Sequence, residues 1–479
     1  MSAAAVDPHS PDALASNPKA PMKRAFLSGS AWAFGGYGVQ QAIRLAGNLL
    51  LTRLLVPEYF GLMALVNLFI QGLEMFADIG IGPSIVQHRR GSDPVFLNTA
   101  WSLQVVRGFA LWGGCLVLTP VAAGFYHQKE LLFLMPVAGF SAVISGFSST
   151  ALFTELRRLS LARLTMLEIG AQAVGIAAMS AWAWFCPTIW ALVAGSLISA
   201  GVRMAASHWL LPGTSNRWHW DRTVASELIR FGRWIFFSTA LSFLASQGDR
   251  LVLGRFLPMD MLGIYGIALF LAQAALSALQ SVSNKVLFPL YSRLTEADPA
   301  ELRRRLWKYR LLLLGAICPV LVVLTVFGDV VIRIMYDHRY QQAGWMLQVL
   351  SAGTIGGVIL TTLSPVLLAV GDSFRFMILL LGRSVALLAA MALGGWLGGH
   401  VSLFGHAPIG SLPGVVVGVS AASFLVYPLL AWQIRRYGVW RPAFDAAVVA
   451  VCAGLIGLGF LIKPAICAWL NQIPHLYRS

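Results

Sequence analysis

Arginine, carboxylate and amide side chains recur at helical spacing inside segments of this sequence that are otherwise apolar. Residues three and four apart share one face of a helix. A charged side chain at the centre of a helix in an apolar medium costs about 2.5–3.5 kcal/mol, so it is expected to face a cavity or a partner. The residues that we expect to line a water-filled central cavity are Arg44, Asn48, Gln71, Glu74, Asp78, Arg107, Glu168, Asp249, Arg250, Gln273, Gln280 and Asn284.

Guanidinium groups bind phosphate and other anions through charge-assisted hydrogen bonds. We therefore expect Arg44, Arg107 and Arg250 to meet an anionic substrate group, whereas Arg203 lies near a helix end and is expected to reach the interface. The carboxylates are expected to pair with these arginines or to carry a coupling proton or sodium ion; they are Glu74, Asp78, Glu168 and Asp249. The alternative is that the same groups are buried ion pairs and hydrogen bonds that join helices.

The sequence lacks the patterns of cofactor and metal chemistry. No Gly-x-x-x-x-Gly-Lys-Ser/Thr loop is present, and no cluster of His, Cys and Asp has the spacing of metal ligands. The five cysteines are scattered without a Cys-x-x-Cys pair, which favours packing over disulfides or metal binding. The sequence therefore predicts no cofactor, no metal and no enzyme activity.

The composition indicates the elements that must position these side chains. Of the 479 residues, 57% are hydrophobic and only 11% are charged, against about 25% charged in a typical soluble domain. The net charge of +15 comes from short basic clusters between apolar runs, which is typical of topology signals rather than of a nucleic-acid surface. The sequence predicts an all-α, polytopic integral membrane protein.

Thirteen apolar runs are long enough to cross the hydrocarbon core, which takes about 20 residues as helix. They are 26–52, 59–82, 98–124, 130–153, 164–186, 188–211, 231–253, 262–284, 310–332, 345–370, 376–399, 411–434 and 444–462. Residues 465–479 are expected to form a short further element or to lie at the interface.

The loops predict an orientation. With the N-terminus in the cytoplasm, Lys and Arg on the inner side outnumber those on the outer side by about three to one, which is the bias that orients membrane proteins. Residues 1–24 are rich in Ala, Pro and Ser and predict a disordered cytoplasmic tail. The largest loop, about 285–309, is predicted to form an amphipathic surface helix.

A repeat divides the chain. Residues 49–62 align without a gap with residues 251–264, and six predicted spans separate the copies. The aligned residues are Arg53 with Arg255, Glu58 with Asp260, and Gly61 with Gly263. Parallel repeats of this kind form transporters of two six-helix lobes with a site between them. We expect an N-terminal six-helix lobe at 25–211 and a C-terminal six-helix lobe at 231–434. A cytoplasmic linker is expected at 212–230, and one or more extra C-terminal helices at 435–479. The two arginines are alternatively helix C-terminal caps.

Four segments resemble the polysaccharide transporters, the O-antigen-type flippases of the multidrug/oligosaccharidyl-lipid/polysaccharide exporter superfamily. They are 76–82 (FADIGIG) running to 85–87, 156–158 running to Glu168, 249–257 with 262–265, and 288–289 followed by 300–303. The resemblance implies 12 to 14 helices around a central cavity in a bacterial inner membrane. It also implies transfer of an undecaprenyl-diphosphate-linked sugar unit to the outer leaflet by alternating access, together with membrane lipids and other polysaccharide assembly proteins as partners.

Two other functions compete with this interpretation. A drug/cation antiporter of the same superfamily is disfavoured by the arginines, which would repel a cationic substrate. A membrane-embedded glycan polymerase or ligase is disfavoured by the short outer loops. The sequence does not identify the sugar, the coupling ion or the oligomeric state.

Overall fold

The computed structural model describes residues 20–77, 80–88, 90–158, 161–213, 215–282, 299–400, 411–438 and 440–470. Within these ranges the chain is almost entirely helical. The helices are α1 (Ala20–Leu54), α2 (Pro57–Phe76), α3 (Ile81–Gln87), α4 (Pro94–Tyr126), α5 (Leu131–Gly146), α6 (Ala151–Arg157), α7 (Leu161–Phe185), α8 (Trp190–Trp209), α9 (Arg222–Phe256), α10 (Met259–Val282), α11 (Pro299–Met335), α12 (Ala343–Leu363), α13 (Pro365–Ala369), α14 (Ser373–His400), α15 (Ser411–Arg435) and α16 (Pro442–Leu470).

Ten of the described helices are long and apolar enough to cross a membrane, and the bent pair α5–α6 would make eleven. The predicted spans 26–52 and 231–253 lie within α1 and α9, each of which is one helix of 35 residues. At 1.5 Å per residue these two helices are about 50 Å long, which exceeds the hydrocarbon thickness of about 30 Å. The prediction of a polytopic helical membrane protein is confirmed.

The second predicted span, 59–82, is shorter than expected. Helix α2 ends at Phe76, and Gly80 then adopts a left-handed conformation with φ of 64° before the short helix α3 begins. A residue other than glycine pays a steric penalty in that conformation, so Gly80 permits the change of direction. Asp78 lies outside the described residues.

The fourth predicted span, 130–153, is broken. Helices α5 and α6 are bent by 59° relative to each other. The backbone N–H groups freed at the break are satisfied by side chains: Ser207 Oγ accepts from Ser149 at 2.9 Å, and Asn216 Oδ1 accepts from Thr150 at 3.2 Å. An interrupted helix survives at such a point only when its backbone groups find other partners.

Two predicted loops are partly helix. Helix α9 begins at Arg222, inside the predicted linker 212–230, and Asp221 caps it. Hydrogen bonds from the Thr223 hydroxyl and from the backbone of Val224 and Thr223 lower the pKa of Asp221. Helix α11 begins at Pro299, so the described part of the predicted surface helix at 285–309 is continuous with the following span.

The chain ends also differ from the prediction. Helix α1 already begins at Ala20, within the predicted tail 1–24, and α16 continues to Leu470. The rest of the predicted tail, the loop residues 283–298 and the segment 471–479 lie outside the described residues.

The two copies of the repeat pack directly against each other where α2 crosses α10. A Cβ atom on Gly61 would lie 1.9 Å from the Met259 carbonyl oxygen, and one on Gly263 would lie 2.1 Å from that of Pro57. The offset that aligns Gly61 with Gly263 also aligns Pro57 with Met259. The crossing is therefore symmetric, and each glycine leaves room for the backbone of the other copy. We use "first half" for α1–α8 and "second half" for α9–α15.

Candidate functional site

Polar side chains from the first half form a partly exposed cluster among α1, α7 and α8. Gln40 Nε2 donates to Glu168 at 3.3 Å, and Arg203 Nη2 lies 3.5 Å from the other oxygen of that carboxylate. The Glu168 and Arg203 side chains are 49% and 44% exposed. Arg44, one helical turn after Gln40 on α1, is also exposed.

The same cluster extends to α2 and α4. Arg107 Nη2 donates to the backbone carbonyl of Glu74 at 2.9 Å. The half-buried Glu74 carboxylate experiences the positive charges of Arg107 and Arg203. The structure thus brings five helices to one group of charges. We call it the first-half cluster, and its members are Gln40, Arg44, Glu74, Arg107, Glu168 and Arg203.

The expectation that Arg203 reaches the interface stays a prediction. In the structure the Arg203 side chain contacts Glu168 on α7. The signal in the sequence was the carboxylate at position 168, which needs a cation and has none on its own helix face. Which neighbouring helix supplies that cation depends on packing.

Amide groups connect the halves. Gln247 on α9 donates to Gln71 Oε1 on α2 at 2.8 Å, and Arg250 Nη1 donates to Gln247 Oε1 at 3.2 Å. Arg250 and Gln71, both expected in the cavity, therefore belong to one hydrogen-bonded chain that crosses from the second half to the first.

A cavity of about 220 Å³ lies inside the second half, among α9, α10, α12, α14 and α15. We call it the second-half cavity. The predicted residues Asp249, Gln273 and Gln280 line it. Asp249 is buried, and its Oδ2 accepts a hydrogen bond of 2.7 Å from the Tyr265 hydroxyl. Arg383 on α14 lines the same cavity.

Hydrogen bonds join the halves at the end of the molecule where α1 ends. Tyr336 donates to Asn48 Oδ1 at 2.8 Å, and Tyr126 donates to the carbonyl of Leu251 at 3.0 Å. Arg339 Nη2 lies 3.1 Å from the carbonyl of Thr52 and 3.2 Å from that of Arg53. We call these contacts the interhalf seal, and Asn48 therefore belongs to it rather than to the first-half cluster.

The remaining repeat residues lie around this seal. Arg255 Nη2 lies 3.4 Å from His127 Nε2. Glu58 and Asp260 lie in the first turns of α2 and α10, where a negative charge is favourable. Of the other predicted site residues, Asn284 lies outside the described residues, as Asp78 does. Among the residues that the structure describes, no group of three or more His, Cys, Asp or Glu has the arrangement of a metal site.

Known proteins share this sequence pattern and fold. The lipopolysaccharide biosynthesis protein WzxC of Escherichia coli (strain K12) is 22% identical over 445 residues, which cover 90% of this chain and 87% of that protein. The teichuronic acid biosynthesis protein TuaB of Bacillus subtilis (strain 168) is 22% identical over 305 residues, 62% of each chain.

Solved structures share the fold at low identity. The lipid II flippase MurJ in an inward closed conformation superposes with a TM-score of 0.63 at 12% identity, covering 93% of this chain and all of that one. An inward-facing multidrug resistance transporter of the MATE family gives 0.59 at 13% identity, covering 85% and 94%. Residues 50–344 match the family model described as polysaccharide biosynthesis protein. This chain belongs to that polysaccharide biosynthesis protein family.

Proposed function

We propose that this protein moves an undecaprenyl-diphosphate-linked oligosaccharide across the bacterial inner membrane, for exopolysaccharide, O-antigen or capsule biosynthesis. The observation that carries the proposal is the first-half cluster, which places exposed arginines and carboxylates among helices that are long and apolar enough to cross a membrane. Such groups are costly in a membrane unless they serve a transported substrate or a partner. The family membership supplies the link to glycan synthesis.

The diphosphate would contact these arginines. Arg44 and Arg203 are exposed, Arg107 donates to the carbonyl of Glu74, and Arg250 donates to the Gln247 side chain. Arginine suits this role because its planar fork of N–H donors matches phosphate oxygens. In the protein without substrate, Glu74 and Glu168 would pair with the arginines. Alternatively, they would carry a coupling proton or sodium ion.

The interhalf seal supports an alternating-access cycle. It closes the end of the molecule that the charge bias assigns to the outside, so the state described here would open towards the cytoplasm, where the N-terminus also lies in this proposal. For the substrate to leave on the outer side, the hydrogen bonds of Tyr126, Tyr336 and Arg339 would break. Other polysaccharide assembly proteins would receive the product there.

Two alternative functions have weaker support. A drug/cation antiporter shares the fold, but the first-half cluster contains three arginines against two carboxylates, which disfavours a cationic substrate. A glycan polymerase or ligase would require a larger outer surface than the short turns at 127–130, 257–258 and 336–342 offer.

A leaflet assay tests the proposal. In a strain that lacks the gene, lipid-linked oligosaccharide is expected to accumulate on the inner face, and the wild-type gene should relieve the accumulation. Arg44→Ala should fail to relieve it. Arg90→Ala is the matched control, because Arg90 forms an exposed ion pair with Asp93 before α4 and such pairs contribute little. Unchanged lipid-linked sugar with altered drug tolerance would instead support the antiporter.

A further inference from the structure

The second-half cavity is large enough for a small ring. Its volume is about 220 Å³, whereas an apolar protein cavity of about 150 Å³ accommodates benzene. A six-membered sugar ring with its hydroxyl groups needs somewhat more room than benzene does. The cavity lies within one half, apart from the first-half cluster.

The lining of this cavity is polar and electrically balanced. Its polar members are Ser246, Asp249, Gln273, Ser277, Gln280, Thr354, Arg383, Ser420 and Ser423. One carboxylate and one guanidinium are the charged groups among them, so the lining has no net charge with which to attract a diphosphate. The first-half cluster, with its excess of arginine, differs in this respect.

The hydroxyl groups that line the cavity act mainly as acceptors. Thr354 donates to the carbonyl of Leu350 at 2.8 Å, Ser420 donates to that of Val349 at 2.9 Å, and Ser246 donates to that of Phe243 at 3.2 Å. A hydroxyl that donates its one proton to a backbone carbonyl presents only lone pairs to a ligand. A phosphate group, whose oxygens are acceptors, finds no donor at these three hydroxyls and would also meet the Asp249 carboxylate.

Donors are supplied by other residues of the same lining. Gln273 and Gln280 carry amide N–H groups, and Arg383 carries guanidinium N–H groups. Leu269, Leu276 and Leu387 add apolar surface. A ligand that fits must donate to some groups, accept from others, and have an apolar face; a polyhydroxylated ring satisfies all three conditions.

We propose that the second-half cavity binds one uncharged sugar ring of the transported glycan, while the diphosphate remains at the first-half cluster. This proposal rests on the proposed function and adds to it the location and the class of the sugar contact. The glycan would then span both halves. The protein would recognise the sugar through neutral hydrogen bonds rather than through charge.

Binding of defined lipids to the purified protein in nanodiscs tests the proposal. The probes are undecaprenyl diphosphate, the same lipid with one neutral hexose, and the same lipid with one hexuronate. The wild type should bind the hexose lipid more tightly than the bare lipid. Thr354→Val and Gln273→Ala should each weaken hexose-lipid binding by roughly fivefold, as expected for the loss of one hydrogen bond, and leave bare-lipid binding unchanged.

A matched threonine provides the control. Thr325 also donates to the carbonyl four residues earlier on its helix, at 2.8 Å, but does not line the second-half cavity. Thr325→Val should leave the binding of all three lipids unchanged. Gln273 is exposed, so its replacement tests the cavity even if Thr354→Val impairs folding.

The outcomes separate this proposal from the proposed function. In one outcome the wild type binds the bare lipid and the hexose lipid, while the cavity variants weaken the binding of both equally or of neither. That result would show that the sugar site is wrong, and it would still support a flippase. Tighter binding of the hexuronate lipid than of the hexose lipid would overturn the uncharged class. A wild type that binds none of the three lipids would contradict the proposed function, and the sugar site with it.

Discussion

At the scale of single residues, charged side chains in this protein act through partners on other helices. Arg203 and Glu168 are 35 residues apart in the chain, yet their side chains lie 3.5 Å apart and both are exposed. Exposed ion pairs contribute little to stability. We therefore propose that this pair serves binding rather than folding.

Replacement of Arg203 tests that role. We expect Arg203→Gln to reduce relief of lipid-linked oligosaccharide accumulation severalfold in the leaflet assay, because an anionic substrate would lose a cation in its path. Thermal stability should change little. Arg158→Gln is the control, since that arginine is 66% exposed at the end of α6. Wild-type activity of Arg203→Gln would exclude Arg203 from the substrate path.

Asp249 has a structural role that can be measured separately from transport. The Tyr265 hydroxyl is fully buried and donates to this carboxylate. Asp249→Ala would leave the hydroxyl unpaired, which costs about 1–3 kcal/mol. We expect a lower unfolding temperature in detergent for Asp249→Ala, and partial recovery when Tyr265→Phe is added. Strict additivity of the two changes would contradict a direct coupling.

At the scale of elements, α16 lies outside the repeat and is held to α11 at both ends. Arg310 Nη2 lies 2.6 Å from Asp445, and Lys463 Nζ lies 2.7 Å from Asp329. Each pair joins α11 to α16. The two pairs are 18 to 19 residues apart along each helix, or about 28 Å at 1.5 Å per residue, which is close to the hydrocarbon thickness.

Contacts between these anchors keep the same register. Cys318 and Cys452 are both buried in one apolar cluster, and a Cβ atom on Gly459 would lie 2.6 Å from Val326. Gly459 therefore permits close approach of the two helices. With contacts near both ends and in the middle, α16 packs along α11 of the second half.

The two anchors are expected to differ in strength. Arg310 and Asp445 are buried, and the Tyr427 hydroxyl also donates to Asp445 at 2.7 Å. Removal of one member of a buried pair leaves an uncompensated charge and costs about 3–5 kcal/mol. Arg310→Ala should therefore lower the unfolding temperature much more than Lys463→Ala, whose pair is partly exposed. Equal effects would show that burial does not distinguish the anchors.

At the scale of the whole molecule, the glycine crossing and the interhalf seal form one closure. The crossing of α2 and α10 depends on the absence of a side chain at Gly61 and Gly263, where a Cβ atom would overlap a backbone carbonyl of the other half. Interiors are packed too densely to absorb such an overlap. A larger residue there would separate the halves at this end.

Gly263→Ala should therefore weaken the closure. We expect an introduced cysteine, Gln71→Cys, to react faster with a membrane-impermeant thiol reagent added from outside when Gly263→Ala is present. Gly266→Ala on the same helix is the control, because its Cβ atom would meet nothing within 4 Å. Equal labelling in both backgrounds would show that the crossing does not control outer access.

The sequence by itself determined the membrane class, the positions of most spans, the repeat and the family resemblance. These properties follow from composition, apolar run length and local motifs, which do not depend on long-range contacts. The roles of the cavity residues stay predictions. Tertiary structure alone decided that Arg203 meets Glu168, that Arg383 lines a cavity with Asp249, that the fourth span is broken, and that α16 is anchored to α11. Each of these depends on which helices become neighbours, and packing of distant segments, rather than local sequence, decides that.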